Sequence, residues 1–240
     1  MNFTKPELLD ALRYADVVLH KDPDEIQSLF GDSLTIIDPL LKGKGDACYI
    51  IHEGDRAVVA FPGTKDLFQW ALNFYKYHET DGGVNQGVKI SMELMAEQIM
   101  DRLIELNPEK ILITGMSRGG AMADAFVEFY AHLFKEIDCI TFAQPMVFTQ
   151  DYYDRTFSMK QARNVNYLRV CMSNDPVPDL PFKKYGYVHK GDSLRLGDEL
   201  SLLEQIKLMW LAWRNHEEFM LAGVGEHDTG VILSHLRDIK

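Results

Sequence analysis

A serine at position 117 stands in a pattern that can carry nucleophilic chemistry. The segment Gly115-Met116-Ser117-Arg118-Gly119 follows an apolar, β-branched run and precedes small residues and a helical repeat. Strand, sharp turn and helix in this order form a nucleophile elbow, which raises a serine Oγ above the sheet. The two glycines suit the close approach of helix and strand because they lack a Cβ atom. An ordinary strand-to-helix turn, with Ser117 as a helix N-cap, is the alternative interpretation.

A serine nucleophile needs a base to take its proton and a carboxylate to orient that base. In α/β hydrolases these residues follow in the chain order serine, acid, histidine. Asp175 comes directly after a strand-like segment and opens a proline-rich loop. Functional groups of open α/β sheets lie at such carboxyl ends of strands, so we predict Asp175 as the acid. A simple turn before Pro176 is the alternative.

Four histidines follow Asp175 and are candidates for the base. His216 lies within a helical pattern beside two glutamates, and His235 lies in the middle of a helical pattern near the C-terminus. His227 follows a glycine-rich loop and precedes the last helical pattern, and a loop lets an imidazole reach a neighbouring strand. The sequence therefore favours His227, with His189 and His235 as competitors.

Strand-like and helical patterns alternate around these residues. The predicted elements are an N-terminal helix around Leu8–Val18, a hairpin over Ala47–Phe61, a helix over Val88–Leu106, strands over Lys110–Met116, Asp138–Ala143 and Val165–Cys171, a helix near Gln150–Ala162 and an apolar helical pattern over Leu200–Leu221. Alternation of this kind predicts an α/β fold with a mostly parallel central sheet flanked by helices. We expect residues 1–240 to form a single domain.

Composition excludes several classes of partner. The chain has 25 basic and 36 acidic residues, a net charge of −11, and no run of lysine or arginine, so we expect no nucleic-acid partner. No apolar run approaches the length of a membrane span. The N-terminus lacks a signal-peptide pattern, which predicts a cytoplasmic protein, or a secreted one if a leader has been removed. The oligomeric state stays open.

The cysteines and histidines do not have the spacing of a metal site. Cys48, Cys139 and Cys171 lie in apolar, strand-like surroundings and are predicted to be buried free thiols. Neither a His-Glu-x-x-His nor a Cys-x-x-Cys motif occurs, and no glycine-rich phosphate-binding loop is present. We therefore expect no metal and no cofactor.

Four segments together resemble the class 3, or fungal-type, lipases of the α/β-hydrolase superfamily. They are the oxyanion-loop segment 61–64 (Phe-Pro-Gly-Thr), the elbow segment 115–121, the segment 141–145 (Thr-Phe-Ala-Gln-Pro) and the acid-loop segment 174–181 (Asn-Asp-Pro-Val-Pro-Asp-Leu-Pro). A fifth segment, 187–191, resembles the family's structural aromatic-x-His-x-Gly pattern. The resemblance extends from about Ala57 to the C-terminus.

The resemblance implies a metal-free serine hydrolase with the α/β-hydrolase fold. It implies that Ser117 is the nucleophile, Asp175 the acid and His227 the base, and it lowers the claim of His189. It also implies an oxyanion hole formed by Thr64 and by the backbone N–H of Arg118. Helix geometry independently favours the Arg118 assignment, because the residue after the nucleophile begins a helix and its N–H has no partner within that helix.

This chain departs from the family pattern at several positions. Met116 and Arg118 flank the serine where relatives carry histidine and leucine, and Pro62 replaces an arginine. A methionine can pack beneath the elbow. The guanidinium of Arg118 could pair with Asp124 or Glu93, or favour an acidic substrate.

Relatives cover the active site with a short helical lid, which the resemblance places at residues 74–83. The segment is polar for a lid that binds lipid, which favours a small or absent lid and an esterase-like preference for dispersed substrates. Gly82 and Gly83 could act as its hinge. The apolar helical pattern over 200–221 could pack in the core, line an acyl tunnel or touch a lipid surface transiently.

The leading hypothesis is a lipase or esterase that cleaves acylglycerols or related fatty-acyl esters. A phospholipase, thioesterase or acyltransferase could use the same triad, because fold and triad do not fix the leaving group. A catalytically weak, lipid-binding protein is the non-enzymatic alternative.

Overall fold

A computed structural model describes residues 3–38, 47–64, 80–156, 164–181, 183–198 and 227–239. Three predicted features lie wholly or partly outside the described residues. They are residues 74–79 of the lid segment, the end of the helix predicted near Gln150–Ala162, and the apolar pattern over 200–221 with His216.

Six α-helices occur in the described part of the chain. They are α1 (Lys5–His20), α2 (Pro23–Phe30), α3 (Gln86–Leu106), α4 (Arg118–Tyr130), α5 (Gln150–Thr156) and α6 (Thr229–Asp238). The predicted helices at the N-terminus, before the nucleophile strand and at the C-terminus are confirmed as α1, α3 and α6.

The strands of the described residues form two sheets. They are β1 (Leu34–Ile37), β2 (Cys48–Glu53), β3 (Arg56–Phe61), β4 (Thr80–Asp81), β5 (Val84–Asn85), β6 (Lys110–Met116), β7 (Ile137–Phe142), β8 (Phe148–Thr149), β9 (Val165–Met172), β10 (Tyr187–Val188) and β11 (Asp192–Leu196). The main sheet has the order β1-β2-β3-β6-β7-β9-β11, and the small sheet the order β10-β8-β5-β4.

The main sheet is antiparallel at one edge and parallel from its centre onward. β1, β2 and β3 pair antiparallel, whereas β3, β6, β7, β9 and β11 pair parallel with their neighbours. The predicted α/β-hydrolase fold with a mostly parallel central sheet flanked by helices is therefore confirmed. Parallel pairing brings the carboxyl ends of β3, β6 and β9 to one edge of the sheet, where the predicted site residues follow.

Two hydrophobic clusters cover the two faces of the main sheet. α3 and α4 contribute to one cluster, and α1 and α6 to the other. The central strand β6 supplies side chains to both, because successive residues of a strand point to opposite faces: Ile111 and Ile113 join the first cluster and Leu112 the second. The sheet is thus buried on both faces, as parallel sheets are.

The features that sequence reasoning missed include α2, β11 and the four short strands of the small sheet. The stretch before β1 contains α2, whose start carries a capping box of Asp22 and Glu25 with Pro23 at the first helical position. Strand β11 extends the parallel edge beside β9. Three of its five side chains are exposed and its two leucines are separated by Arg195, so no apolar run marks the strand.

The predicted glycine hinge is instead a tight turn. Gly82 and Gly83 have positive φ angles of 63° and 84° and connect β4 to β5. The Gly83 carbonyl accepts a hydrogen bond from the Thr149 N–H at 2.8 Å, and the Gly82 carbonyl accepts one from Arg155 at 3.0 Å. Both peptide groups are held by their neighbours, which does not suit a hinge.

Candidate active site

Ser117 lies in a strained turn between β6 and α4. Its φ and ψ angles are 57° and −123°, a conformation that non-glycine residues rarely adopt. The Ser117 N–H donates to the Phe142 carbonyl at 2.8 Å, and its carbonyl accepts from the Ala121 N–H at 3.1 Å. Its side chain makes no N-capping hydrogen bond, so the serine is not an ordinary helix cap. Hydrogen bonds therefore hold the Ser117 backbone at its N–H and at its carbonyl, whereas the side chain takes no part in capping α4.

The glycines around Ser117 are required by close backbone contacts. A Cβ atom at Gly119 would lie 2.1 Å from the Phe61 carbonyl oxygen, and one at Gly115 would lie 2.4 Å from the Gly119 carbonyl carbon. Neither distance is possible without moving the backbone. The glycines let α4 begin directly against β6 and β3, which keeps Ser117 at the carboxyl edge of the sheet. Met116 is buried beneath this turn, as predicted.

Asp175 and His227 form a buried pair. The Nδ1 atom of His227 lies 2.6 Å from Oδ2 of Asp175, and both side chains are withdrawn from solvent. The other carboxylate oxygen, Oδ1, accepts a hydrogen bond from the Val177 N–H at 2.9 Å. Asp175 therefore makes both the predicted turn and a bond to a histidine. A donating Nδ1–H leaves Nε2 of His227 as a hydrogen-bond acceptor.

Ser117 and His227 each keep one buried polar atom without a partner among the described residues: Ser117 Oγ and His227 Nε2. Buried polar atoms are nearly always hydrogen-bonded, so such exceptions need a reason. Both residues line one cavity of about 380 Å³, together with Leu19, His20, Thr64, Met116, Asp228 and Thr229. The two unpartnered atoms therefore belong to residues that line the same cavity.

The residues predicted for the oxyanion hole border the same edge of the sheet. Thr64 follows β3 and lines the cavity with Ser117. Arg118 is the first residue of α4, where backbone N–H groups have no partner within the helix. Because β3 and β6 pair in parallel, the ends of these two strands are neighbours.

The competing histidines have other contacts. His189 Nε2 lies 2.7 Å from the Pro178 carbonyl oxygen, and burial lowers the pKa of His189 to about 4, with Arg169 adding to the effect. His189 is thus neutral at pH 7 and supports the loop that follows Asp175. His235 lies in α6 with Nδ1 3.0 Å from the Val231 carbonyl oxygen.

The guanidinium of Arg118 points toward α3, where Nη2 donates to Ser91 Oγ at 2.9 Å. Asp124, one of its predicted partners, lies in a different buried network. There it accepts hydrogen bonds from Gln144 and Tyr167 at 2.9 Å each, and Lys190 Nζ lies 3.5 Å away.

The three cysteines are buried and free, as predicted. Burial raises the pKa of Cys48 and Cys139 well above the ordinary value of a thiol. These thiols therefore stay protonated at neutral pH and are poor nucleophiles.

Sequence comparison identifies the family. The sequence profile of the family described as lipase (class 3) matches residues 58–185, which include the oxyanion loop, the elbow and the acid loop. The chain belongs to the class 3 lipases. This class 3 lipase is accordingly a serine hydrolase of the α/β-hydrolase superfamily, as its sequence motifs suggest.

Solved lipases share the fold of this class 3 lipase. Lipase from Rhizomucor miehei, in a propeptide complex, has a TM-score of 0.63 at 18% identity, over 82% of this chain and 70% of that one. Lipase II from Rhizopus niveus has a TM-score of 0.61 at 17% identity, over 80% and 82%. A triacylglycerol lipase whose catalytic centre is described as a serine protease triad has a TM-score of 0.58 at 20% identity, over 81% and 78%.

The described part of this class 3 lipase contains neither a candidate membrane span nor a candidate metal site. None of its described helices combines the length and apolar composition needed to cross a bilayer. Within the same residues, no three His, Cys, Asp or Glu side chains converge as a metal site would require.

Sequence reasoning missed one part of the site. Leu19 and His20, at the end of α1, line the cavity beside Ser117 and His227. No motif marks these residues, and they follow the run of apolar positions that predicts α1. Their presence in the site depends on how α1 packs against the sheet.

Proposed function

We propose that this class 3 lipase hydrolyses fatty-acyl esters, with Ser117 as nucleophile, His227 as general base and Asp175 as the acid of the triad. One observation carries the proposal: His227 bonds Asp175 at 2.6 Å through Nδ1, its Nε2 and the Ser117 Oγ are unpartnered among the described residues, and Ser117 and His227 line one cavity. A side chain that is held on one side and free on the other suits proton transfer.

The first half of the reaction forms an acyl-enzyme. Ser117 Oγ attacks the ester carbonyl carbon as its proton passes to Nε2 of His227. Asp175 stabilises the imidazolium through the Nδ1–H and keeps the ring in the required tautomer. When the tetrahedral intermediate collapses, the bond from carbon to the alkoxy oxygen breaks. His227 then gives its proton to the departing alcohol.

The second half reverses these roles with water. His227 takes a proton from a water molecule whose oxygen attacks the acyl carbon. The bond from Ser117 Oγ to that carbon breaks, the proton returns to Oγ, and the carboxylic acid leaves. In both halves the backbone N–H groups of Arg118 and Thr64, with the Thr64 hydroxyl, stabilise the negative carbonyl oxygen.

The proposed substrate is an acylglycerol or related ester of a fatty acid. The cavity of about 380 Å³ combines apolar walls at Leu19 and Met116 with polar groups at Thr64 and His20. Ligand sites of small organic molecules have this mixture. Two structures of similar fold are described as a triacylglycerol and a triacylglyceride lipase, which supports the same ester class. A third is described as a model for interfacial activation in lipases, which supports a transient lipid interface during turnover.

Covalent labelling tests the catalytic assignment. We expect a fluorophosphonate to react with the folded protein at Ser117, and the labelled peptide to be identified by mass spectrometry. Ser117→Ala and His227→Ala should abolish labelling. Ser234→Ala and His235→Gln serve as matched controls, because both residues lie on α6 outside the cavity lining, and they should label like the wild type. An adduct that survives Ser117→Ala would refute the assignment.

A series of p-nitrophenyl esters tests the substrate class. Hydrolysis of short, medium and long acyl chains should be measured below and above substrate aggregation. Activity that rises at aggregation supports an interfacial lipase, and activity confined to dispersed esters supports an esterase. A labelled but ester-inactive enzyme would direct the assay to thioesters and phospholipids.

A further inference from the structure

The C-terminal turn of α1 forms part of the catalytic cavity. Leu19 and His20 line it together with Ser117 and His227. Leu19 also packs on the oxyanion loop, since a Cβ atom at Gly63 would lie 3.0 Å from its Cδ1. The last turn of α1 therefore lines the cavity, in addition to the packing of α1 on the sheet.

Two side chains near the C-terminal end of α1 contact the hydroxyl of Thr229, which lies two residues after His227. Thr229 Oγ1 donates a hydrogen bond to Asp16 Oδ1 at 2.5 Å, and His20 Nε2 lies 3.3 Å from the same hydroxyl. Thr229 is buried, although Asp16 and His20 are about half exposed. The contact joins residues 213 positions apart in the chain.

Thr229 is the first residue of α6, and His227 lies two residues before it. The position of this first turn therefore affects the position of His227. The Asp228 carboxylate caps the helix, accepting from the N–H groups of Gly230 at 2.7 Å and Val231 at 3.3 Å. The cap fixes His227 relative to α6, and the Asp16 bond fixes the first turn of α6 relative to α1. α1 is in turn bonded to the nucleophile strand, because Thr114 Oγ1 donates to the Ala11 carbonyl at 3.2 Å.

A second contact joins the opposite ends of the same two helices. Lys5 Nζ, in the first turn of α1, donates to the carbonyl oxygens of Arg237 at 2.5 Å and Ile239 at 2.8 Å, at the end of α6. α1 and α6 therefore pack antiparallel with a polar contact at each end. Only one of these contacts is close to His227.

We propose that Asp16 is a positioning residue for His227 and acts through Thr229. The inference rests on the proposed function, because it assigns a role in aligning the proposed base with the proposed nucleophile. Asp175 bonds one edge of the imidazole, but a single bond leaves the ring free to pivot about it. Anchoring the first turn of α6 to α1, and through α1 to β6, restricts that pivot.

The mechanism predicts a larger effect on turnover than on stability. A hydrogen bond contributes little net stability because water replaces the lost partner, whereas a shift of about 1 Å in a catalytic group lowers the rate about a hundredfold. We expect Asp16→Ala to lower kcat by about ten- to a hundredfold with KM nearly unchanged. Asp16→Asn should keep most of the activity, because its amide oxygen still accepts from Thr229.

The matched control is Lys5→Met, which breaks the contact at the far end of the same helix pair. It should lower Tm about as much as Asp16→Ala does but leave kcat near the wild-type value. On the other side of the bond, Thr229→Val should lower kcat and Thr229→Ser should restore it. Equal kcat values for Asp16→Ala and Lys5→Met would overturn the proposal, because both residues would then act only on the stability of the helix pair.

A second measurement does not depend on turnover. In protein labelled with ¹⁵N-histidine, the Nδ1–H of His227 should give a resonance assigned by its loss in His227→Ala. We expect this resonance to shift or broaden in Asp16→Ala and to be unchanged in Lys5→Met. An unchanged resonance in both variants would overturn the positioning role even if the enzyme is active. If the fluorophosphonate does not react with Ser117 in the wild type, the proposed function is overturned instead.

Discussion

His227 Nδ1 lies 2.6 Å from Asp175 Oδ2, although 52 residues separate the two in the chain. Asp175 follows β9, His227 precedes α6, and both are buried. Because the second carboxylate oxygen accepts from the Val177 N–H, the carboxylate cannot rotate away from the imidazole without losing a bond. This relationship holds one edge of the imidazole ring and selects one tautomer, and Asp175→Asn tests it.

Asp175→Asn should abolish most of the activity without unfolding the protein. The new amide can still accept from the Val177 N–H, but its NH₂ group then faces His227 Nδ1. The ring must accept at Nδ1 and carry its proton on Nε2, which can no longer take the proton of Ser117. We expect kcat to fall by about 10³- to 10⁴-fold, with Tm within a few degrees of the wild type. Undiminished ester hydrolysis would show that Asp175 is not the acid of the triad.

Gly119→Ala should prevent the elbow from forming. The added Cβ would lie 2.1 Å from the Phe61 carbonyl oxygen, so α4 must move away from β3. We expect a loss of about 3 kcal/mol or more in the free energy of unfolding, measured by urea titration. Gly87→Ala, in the first turn of α3, is the control because its Cβ would lie 3.5 Å from Asn85 Oδ1. That variant should stay within about 1 kcal/mol of the wild type.

The stability of the fold should depend on His189 between about pH 6.5 and pH 4. Burial lowers the pKa of His189 from 6.5 to about 4. The unfolded chain therefore binds a proton on this residue as the pH falls through 6.5, while the folded chain stays neutral. The stabilising contribution is complete above pH 6.5 and is lost as the pH falls to about 4. It amounts to about 3 kcal/mol.

His189→Gln isolates this contribution because glutamine can still donate to the Pro178 carbonyl. The free energy of unfolding of the variant should fall less steeply than that of the wild type between pH 6.5 and 4. NMR titration of His189 in the wild type checks the same point without a variant. A midpoint near 6.5 in the folded protein would contradict the prediction.

Lys190→Met should destabilise the protein strongly. Burial lowers the pKa of Lys190, but Asp124 and Glu128 outweigh burial and raise it overall. Lys190 Nζ contacts both carboxylates, and Asp124 is almost wholly buried. Replacing Lys190 removes the ammonium that contacts both carboxylates and leaves the buried Asp124 charge less compensated, which should cost about 3 kcal/mol or more. Lys110→Met, which breaks an exposed ion pair with Glu136, should have a much smaller effect on the urea midpoint. Similar losses in the two variants would contradict the account of the buried network.

Sequence patterns predicted the α/β-hydrolase fold and the elements that carry the candidate site. β6 and α4 were predictable because local signals define them: a β-branched run, two glycines and a helical repeat. α2 was missed although its capping box is visible in the sequence, because the apolar pattern there is short. β11 was missed because an edge strand with exposed side chains has no apolar run.

The amino-acid sequence by itself determined which residues are available for chemistry and which turns can hold them. Gly115 and Gly119 permit the elbow, and the order serine, aspartate, histidine selects the candidates. Only the tertiary structure decided how these residues meet. The parallel strands β3, β6, β7 and β9 set Thr64, Ser117 and Asp175 at the carboxyl end of the sheet, and the packing of α1 on α6 brings Asp16 to Thr229. The polar contacts between α1 and the C-terminal segment join residues up to 234 positions apart, and no local pattern encodes them because they arise when helices pack on a face of the sheet.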